Sequence, residues 1–263
     1  MLKLRHRAGT GPVKARLQLD GREVEVDLSR PVEIALPLNF DATQPRHFGA
    51  PAATTEAFAV PGFSGSVATG ASCNCNVITL IPHCNGTHTE CVGHLTTERL
   101  DAYPLAPKGL IPAVLITVEP TDETPESTEP PPQPGDKLVT RAALERNWPA
   151  GFQPQAVVIR TTESSYLSRE AAEFLVARAI EHLVVNLPSI DRAHDEGRLT
   201  AHRVFFGLPR GATTSGLAKR PTATITEFAH IPAGVPDGPY LLEIQVPALA
   251  GDAVPSRPLL YPI

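Results

Sequence analysis

Between residues 84 and 94 the run CNGTHTECVGH sets Cys84, His88, Glu90 and His94 at offsets 0, 4, 6 and 10. Thiolate, imidazole and carboxylate are the donors that divalent zinc takes, and imidazole can also move a proton for a bound ion. On an extended chain residues two apart face the same way, so His88 and Glu90 can meet one ion. Gly86 permits a tight bend between that pair and Cys84. Two readings fit the spacing: a metal centre, or a polar loop whose histidines are simply hydrogen-bonded. A zinc finger fits less well, because Cys73-Asn-Cys75 lacks a two-residue spacer and no second ligand pair follows at finger spacing.

The elements that must position these residues follow from pattern. VKARLQLD (13–20) and REVEVDLS (22–29) alternate on either side of Gly21 and predict a hairpin, and VEIALPL (32–38) predicts a third strand. Residues 39–72 are rich in Gly, Ala, Pro and Ser. They predict long ordered loops, in which Phe40, Phe48, Phe58 and Phe63 could wall a substrate pocket. NVITLI (76–81) predicts a strand that ends at Pro82 and runs directly into the motif, which places His83 on the face opposite Cys84. A further strand is predicted at AVLITVE (113–119). After it, PTDETPESTEPPPQPG (120–135) is too poor in apolar residues to pack, which predicts a mobile surface insertion. Thr140 can cap a helix through Trp148, and Ser168 one reaching about Ile180. AVVIRT (156–161), HLVVNLP (182–188), TATITEF (222–228) and YLLEIQVPAL (240–249) read as strands.

A chain of 263 residues, 42% hydrophobic and 19% charged, can bury the core of one globular domain. The net charge of −5, without a basic stripe, argues against nucleic acid or an anionic membrane as partner. No apolar run approaches the ~20 residues that span a bilayer. MLKLRHRAGTGPVKARL lacks the apolar centre of a signal peptide, so a cytoplasmic location is expected. Cys73, Cys75, Cys84 and Cys91 crowd into one short stretch, which predicts reduced thiols near a site rather than a disulfide framework. Cys73, Cys75 and Cys91 are expected mainly as small buried residues.

At the motif the sequence resembles the cyclase family, which includes bacterial kynurenine formamidases and isatin hydrolase and carries His-x-Gly-Thr-His-x-Asp-x-Pro-x-His. Asn85-Gly86-Thr87-His88 aligns with the Gly-Thr-His core, Glu90 falls on the family aspartate, and His94 on the last histidine. Val158–Thr161, the helix from Ser168, Asn186–Asp191, Ala201-His202-Arg203 and Thr224–Glu227 look like later family blocks in order. The resemblance, over roughly residues 27–261, implies an α/β chain with the swivelling β/β/α fold, one domain with a mixed sheet and flanking helices. It implies one or two zinc ions, with manganese less favoured. Cys84, His88 and Glu90 would bind the first ion, and Glu90, His202 and Glu227 the second. His94 would be the catalytic base or proton shuttle for a metal-activated water that opens an amide, N-formyl or cyclic amide substrate. A homo-oligomer with a small-molecule amide or lactam as its partner is implied in the same way.

The sequence departs from the pattern where Cys84 replaces the first histidine, Glu90 the aspartate and Cys91-Val92 the usual Ala-Pro. A thiolate at Cys84 would be a softer ligand that disfavours manganese. These changes motivate the alternative of a divergent member that binds a metal or small ligand without hydrolysis.

Overall fold

The computed structural model describes residues 11–19, 21–40 and 43–263; residues 1–10, and Asp20 of the expected hairpin, lie outside the described residues. Nine strands form one mixed sheet. In chain order they are β1 (Val32–Glu33), β2 (His88–Glu90), β3 (Ile111–Val118), β4 (Ala156–Thr161), β5 (His182–Val185), β6 (Thr224–Glu227), β7 (Gly238–Gln245), β8 (Ala253–Pro255) and β9 (Arg257–Pro262). Their spatial order is β8-β2-β6-β5-β4-β3-β7-β9-β1. The four central strands, β3 to β6, are parallel. They are joined by connections carrying α1 (Arg141–Asn147), α2 (Arg169–Ala177) and α3 (Thr200–Phe206).

Alternation along the central strands creates two cores. Val114, Ile116, Val157, Ile159, Leu183, Val185 and Ile225 face the helices, meeting Leu144, Leu175, Phe205 and Phe206. Ala113, Leu115, Val158 and Val184 face the other way and pack with Ile34, Tyr240 and Leu242. Each fully buried Val, Leu or Ile side chain contributes about 1.5–3 kcal/mol, so the parallel centre with its helices is the rigid frame on which the rest hangs. No helix among the described residues is long and apolar enough to cross a membrane.

The hairpin appears as Lys14–Leu19 paired with Arg22–Asp27, and AVVIRT coincides with β4. Thr140 and Ser168 cap α1 and α2, each accepting the amide N–H three residues on. Helix α2 stops at Ala177, because the backbone reverses at Ala179 with φ 56°. The expected strand over 32–38 shrinks to Val32–Glu33 and an isolated bridge at Ala35. Residues 39–72 contain short strands: Thr54–Ala57 pairs with Asn76–Thr79, and Ala59–Val60 with Phe63–Ser64. Asn76–Thr79 is therefore half of an exposed ribbon outside the main sheet.

Residues 120–135, read from composition as a mobile insertion, are tied to the helical face. Both carboxylate oxygens of Glu126 accept backbone N–H groups at the start of α1, from Arg141 at 2.7 Å and Ala142 at 3.2 Å, and one also accepts the Ser168 hydroxyl. Ser127 donates twice to Glu170, and the Glu129 carbonyl accepts from the Thr200 hydroxyl at the start of α3. The acidic residues that made the segment look unfoldable complement helix N-termini.

His182, at the start of β5, is buried with Nδ1 2.8 Å from the Thr224 hydroxyl. Burial and the nearby Arg220 push its pKa down to about 4. The unfolded chain therefore takes up this proton before the folded one does, and stability falls as pH drops from about 6.5 towards about 4. The expected loss over that window is about 3 kcal/mol. Urea unfolding at several pH values should show it in the wild type and much less of it in His182→Asn; equal pH dependence of the two would exclude His182 as the source.

Candidate metal centre

The site lies where β2 meets β6, on the side that faces α3. His88 and Glu90 are alternate residues of β2 and project together. His88 stands directly across from Glu227 of β6, and Glu90 from Ile225 on one side and Ala253 on the other. Helix α3 brings His202 over the same spot. Its Nε2 approaches Glu90 Oε1 at 2.8 Å and Glu227 Oε1 at 3.5 Å. His88 Nε2 lies 3.5 Å from Glu227 Oε2.

These approaches are short but badly directed for hydrogen bonds. His88 Nε2, His202 Nε2 and both carboxylate oxygens of Glu90 are buried and have no hydrogen-bond partner. A buried carboxylate without compensating charge costs several kcal/mol, and the His202 and His83 nitrogens 2.8 and 3.0 Å from Glu90 are the groups placed to supply or share it. The outward nitrogens of the two rings are satisfied. His88 Nδ1 meets the Gly86 carbonyl at 3.0 Å, and His202 Nδ1 meets Asp191 at 2.7 Å. Those acceptors put the ring protons on Nδ1 and leave the Nε2 lone pairs pointing inward, the arrangement that supports metal-bound histidines. Ligand atoms of His88, Glu90 and Glu227 lie within 4.8 Å of one another, and so do those of His83, Glu90 and His94. The donor set and its unpaired atoms fit a divalent cation.

Each supporting residue has a local reason for its place. Thr87 donates its hydroxyl to the Phe228 carbonyl and accepts the Leu36 N–H, which pins the start of β2 to the end of β6. Gly86 adopts φ 151°, a conformation that L side chains rarely take. Glu227 accepts the Ile190 N–H at 2.7 Å. Asp191 accepts the Ala201 and His202 N–H groups, and so caps α3 as well as orienting His202.

Two sequence expectations need correction. His83 does not point away: residues 82–86 form a turn, with the Cys84 and Asn85 N–H groups both donated to the Ile81 carbonyl, so strand alternation does not govern them. His83 Nδ1 lies 3.0 Å from Glu90 Oε2, and its Nε2 lies 2.8 Å from Asp252. Cys73 and Cys75 are exposed, whereas Cys91 is buried in a small cluster with Ala102 and Val254. Phe48, Phe58 and Phe63 are exposed, and the Phe48 ring centroid lies 4.0 Å from that of His47.

Cys84 is buried but belongs to neither ligand group, and burial raises its thiol pKa. His94 does lie beside the centre. Its ring stacks 4.2 Å from His83, sits 5.7 Å from His202, and places Nδ1 3.5 Å from Asp252. Sequence reasoning missed His83 and Asp252 as neighbours of the site. Asp191 carried a signal only through the block Asn186–Asp191.

Charge in the centre is coupled. Burial alone would raise the Glu90 pKa, but His94, His202 and His83 hold it well below the ordinary carboxylate value. Burial would lower His202, yet Glu90, Asp191 and Glu227 raise it well above 6.5. For His83, burial is outweighed by Asp252 and Glu90, and its pKa rises to about 10.

A buried Glu-His centre at the edge of a parallel α/β sheet defines a metal-site protein of mixed-sheet architecture. The profile of the family described as Putative cyclase matches residues 26–192, more than half of the chain, and the protein belongs to that family. The solved structure of a predicted metal-dependent hydrolase from Bacillus stearothermophilus is similar at 17% identity, over 88% of this chain and 98% of that one, with TM-score 0.56. A potential metal-dependent hydrolase with cyclase activity is similar at 17% identity, over 88% and 97%, with TM-score 0.60. Isatin hydrolase A from Labrenzia aggregata, bound to benzyl benzoate, is similar at 16% identity, over 88% and 93%, with TM-score 0.57. At such identities the likeness shows the fold alone. No curated protein matches the chain in sequence.

Protons on His83 and His202 would compete with any cation bound through their inward nitrogens, because each pKa is raised. Affinity for a divalent ion should therefore rise with pH and binding should release protons, as titration calorimetry in buffers of different ionisation enthalpy would measure. Affinity independent of pH from 6 to 8 would mean that these rings are not displaced by the ion.

Proposed function

We propose that the protein is a metal-dependent hydrolase that opens a C–N bond in an amide, N-formyl or cyclic amide substrate. The observation that carries this reading is Glu90, fully buried with neither oxygen hydrogen-bonded, among inward-facing histidine nitrogens and Glu227. His88, Glu90, Glu227 and His202 would hold the ion, zinc being our choice for this set of nitrogen and oxygen donors. A divalent cation supplies a Lewis acid that polarises a carbonyl and makes water a stronger nucleophile near neutral pH.

The chain's own residues divide the remaining work. Asp191 and the Gly86 carbonyl hold the His202 and His88 rings so that their free nitrogens face Glu90. His94, 28% exposed and beside His83, is on the open side, where its imidazole can take a proton and return it to a leaving nitrogen. A cavity of about 270 Å³ that includes His47, Tyr166, Ser189, Asp191 and Arg192 lies against the carboxylate that orients His202. The family membership supports the same class of chemistry, and the isatin hydrolase fold supports lactams as the first substrates to try.

Chelation should abolish hydrolysis across a panel of aryl formamides and isatin-like lactams, and added zinc should restore it, with mass spectrometry showing opened lactams one water heavier and formamides cleaved to the amine and formate. His94→Ala should keep its metal and lose at least 100-fold in turnover. Activity that survives chelation would sink the metal-dependent reading; loss of metal in His94→Ala would make His94 a ligand instead.

We also propose a homo-oligomer. Phe58, Val60, Phe63, Val67, Val77 and Ile78 are all exposed on or beside the outlying ribbons, and two-stranded ribbons with solvent on both faces are marginal alone. Light scattering should report at least a dimer, and charged substitutions at Val60 and Ile78 should dissociate it; a wild-type monomer at micromolar concentration would exclude this.

A further inference from the structure

His88 and His202 share a signature: one ring nitrogen held by an acceptor behind it, the other directed at Glu90 or Glu227. His83 repeats it. Its Nε2 is 2.8 Å from Asp252 Oδ2, and its Nδ1 is 3.0 Å from Glu90 Oε2, one of the two buried, unpartnered oxygens of that carboxylate. With the ring proton on Nε2, donated to Asp252, the Nδ1 lone pair is free to bind an ion shared with Glu90. Cys84 shows none of this. It is absent from both ligand groups, while its N–H is donated to the Ile81 carbonyl and its own carbonyl accepts the His47 N–H.

We propose that His83, through Nδ1, is a metal ligand of this centre in the place that the family motif gives to residue 84, and that Asp252 is the residue that positions its ring. The proposal rests on the metal-centre reading above and adds two residues to it. The turn at 82–86 makes the substitution possible: by returning two N–H groups to the Ile81 carbonyl it swings residue 83 inward and residue 84 out of the donor set. Asp252 reaches His83 from the segment just before β8, whose Ala253 stands opposite Glu90, and the Asp252 carbonyl accepts the Cys91 N–H. The register of β8 on β2 therefore sets the distance between Asp252 and the ring it holds. A centre built this way has only nitrogen and oxygen donors. The preference for soft ions that a Cys84 thiolate would bring does not apply, so manganese becomes an acceptable occupant beside zinc.

The test is a titration of metal-stripped protein with Co²⁺ against a competing chelator, read by affinity, stoichiometry and the electronic spectrum. It compares wild type, His83→Ala, Cys84→Ser and Asp252→Asn, with circular dichroism to confirm folding. Wild type should bind cobalt without the near-ultraviolet charge-transfer band of a thiolate ligand. Cys84→Ser should match it within twofold. His83→Ala should lose an equivalent of cobalt or weaken at least 100-fold, and Asp252→Asn, changed at a partly exposed side chain that is not itself a ligand, should weaken binding about 10–100-fold. A thiolate band in wild type, or loss of metal in Cys84→Ser, would overturn the proposal. So would His83→Ala and Asp252→Asn both binding within twofold of wild type, an outcome that leaves the metal-dependent reading intact. Wild type that binds no cobalt at all would remove that underlying reading and this proposal with it.

Discussion

The constraint on which the site depends is the burial of Glu90. Its carboxylate is fully buried on the α3 side of the sheet, on the last residue of a three-residue strand whose backbone is held between β6 and β8. A charge so placed needs compensation worth several kcal/mol. The surroundings are arranged to provide it: three histidines approach Glu90 or its neighbour Glu227 by a lone-pair nitrogen, and each has its other nitrogen committed to a carbonyl or a carboxylate. Protons or a divalent cation can neutralise the cluster. Only a cation can do so while leaving the inward ring nitrogens as bases.

Those anchors come from separate parts of the chain. The Gly86 carbonyl belongs to the turn before β2, Asp191 to the connection between β5 and α3, and Asp252 to the approach to β8. A change that shifts α3 or slips β8 would therefore reach the centre through a ring orientation. The segment 120–135 takes part at one remove, since Glu126 and Glu129 bind the starts of all three helices or the residue that caps them. Its polar composition serves attachment, which is why it needs almost no apolar surface.

Much of the frame is legible in sequence because local signals and global packing agree there. AVVIRT reads as a buried strand and is one; Thr140 and Ser168 read as caps and bond the expected amides. Helix α3 is not legible. Leu199, just before it, has φ 48° and no side chain able to cap, and the capping carboxylate is Asp191, far back in the chain. The strand expected over 32–38 fails for a similar reason, since regular pairing ends at Val32–Glu33 and the Ala35 bridge, and Leu36 gives its N–H to the Thr87 side chain instead of to a strand.

For the site, sequence alone determined that His88 and Glu90 share a face, because alternation on an extended chain is a local property. The order of the later blocks pointed to His202 and Glu227, and the structure brings both to the same spot. Which of His83 and Cys84 faces the centre was beyond any local rule. That was decided by a turn whose hydrogen bonds return to Ile81, and by Asp252, 169 residues away, whose position depends on the pairing of β8 with β2. Alternation predicts side-chain direction only while the chain remains extended; once it turns, direction is set by whichever distant group supplies the partner.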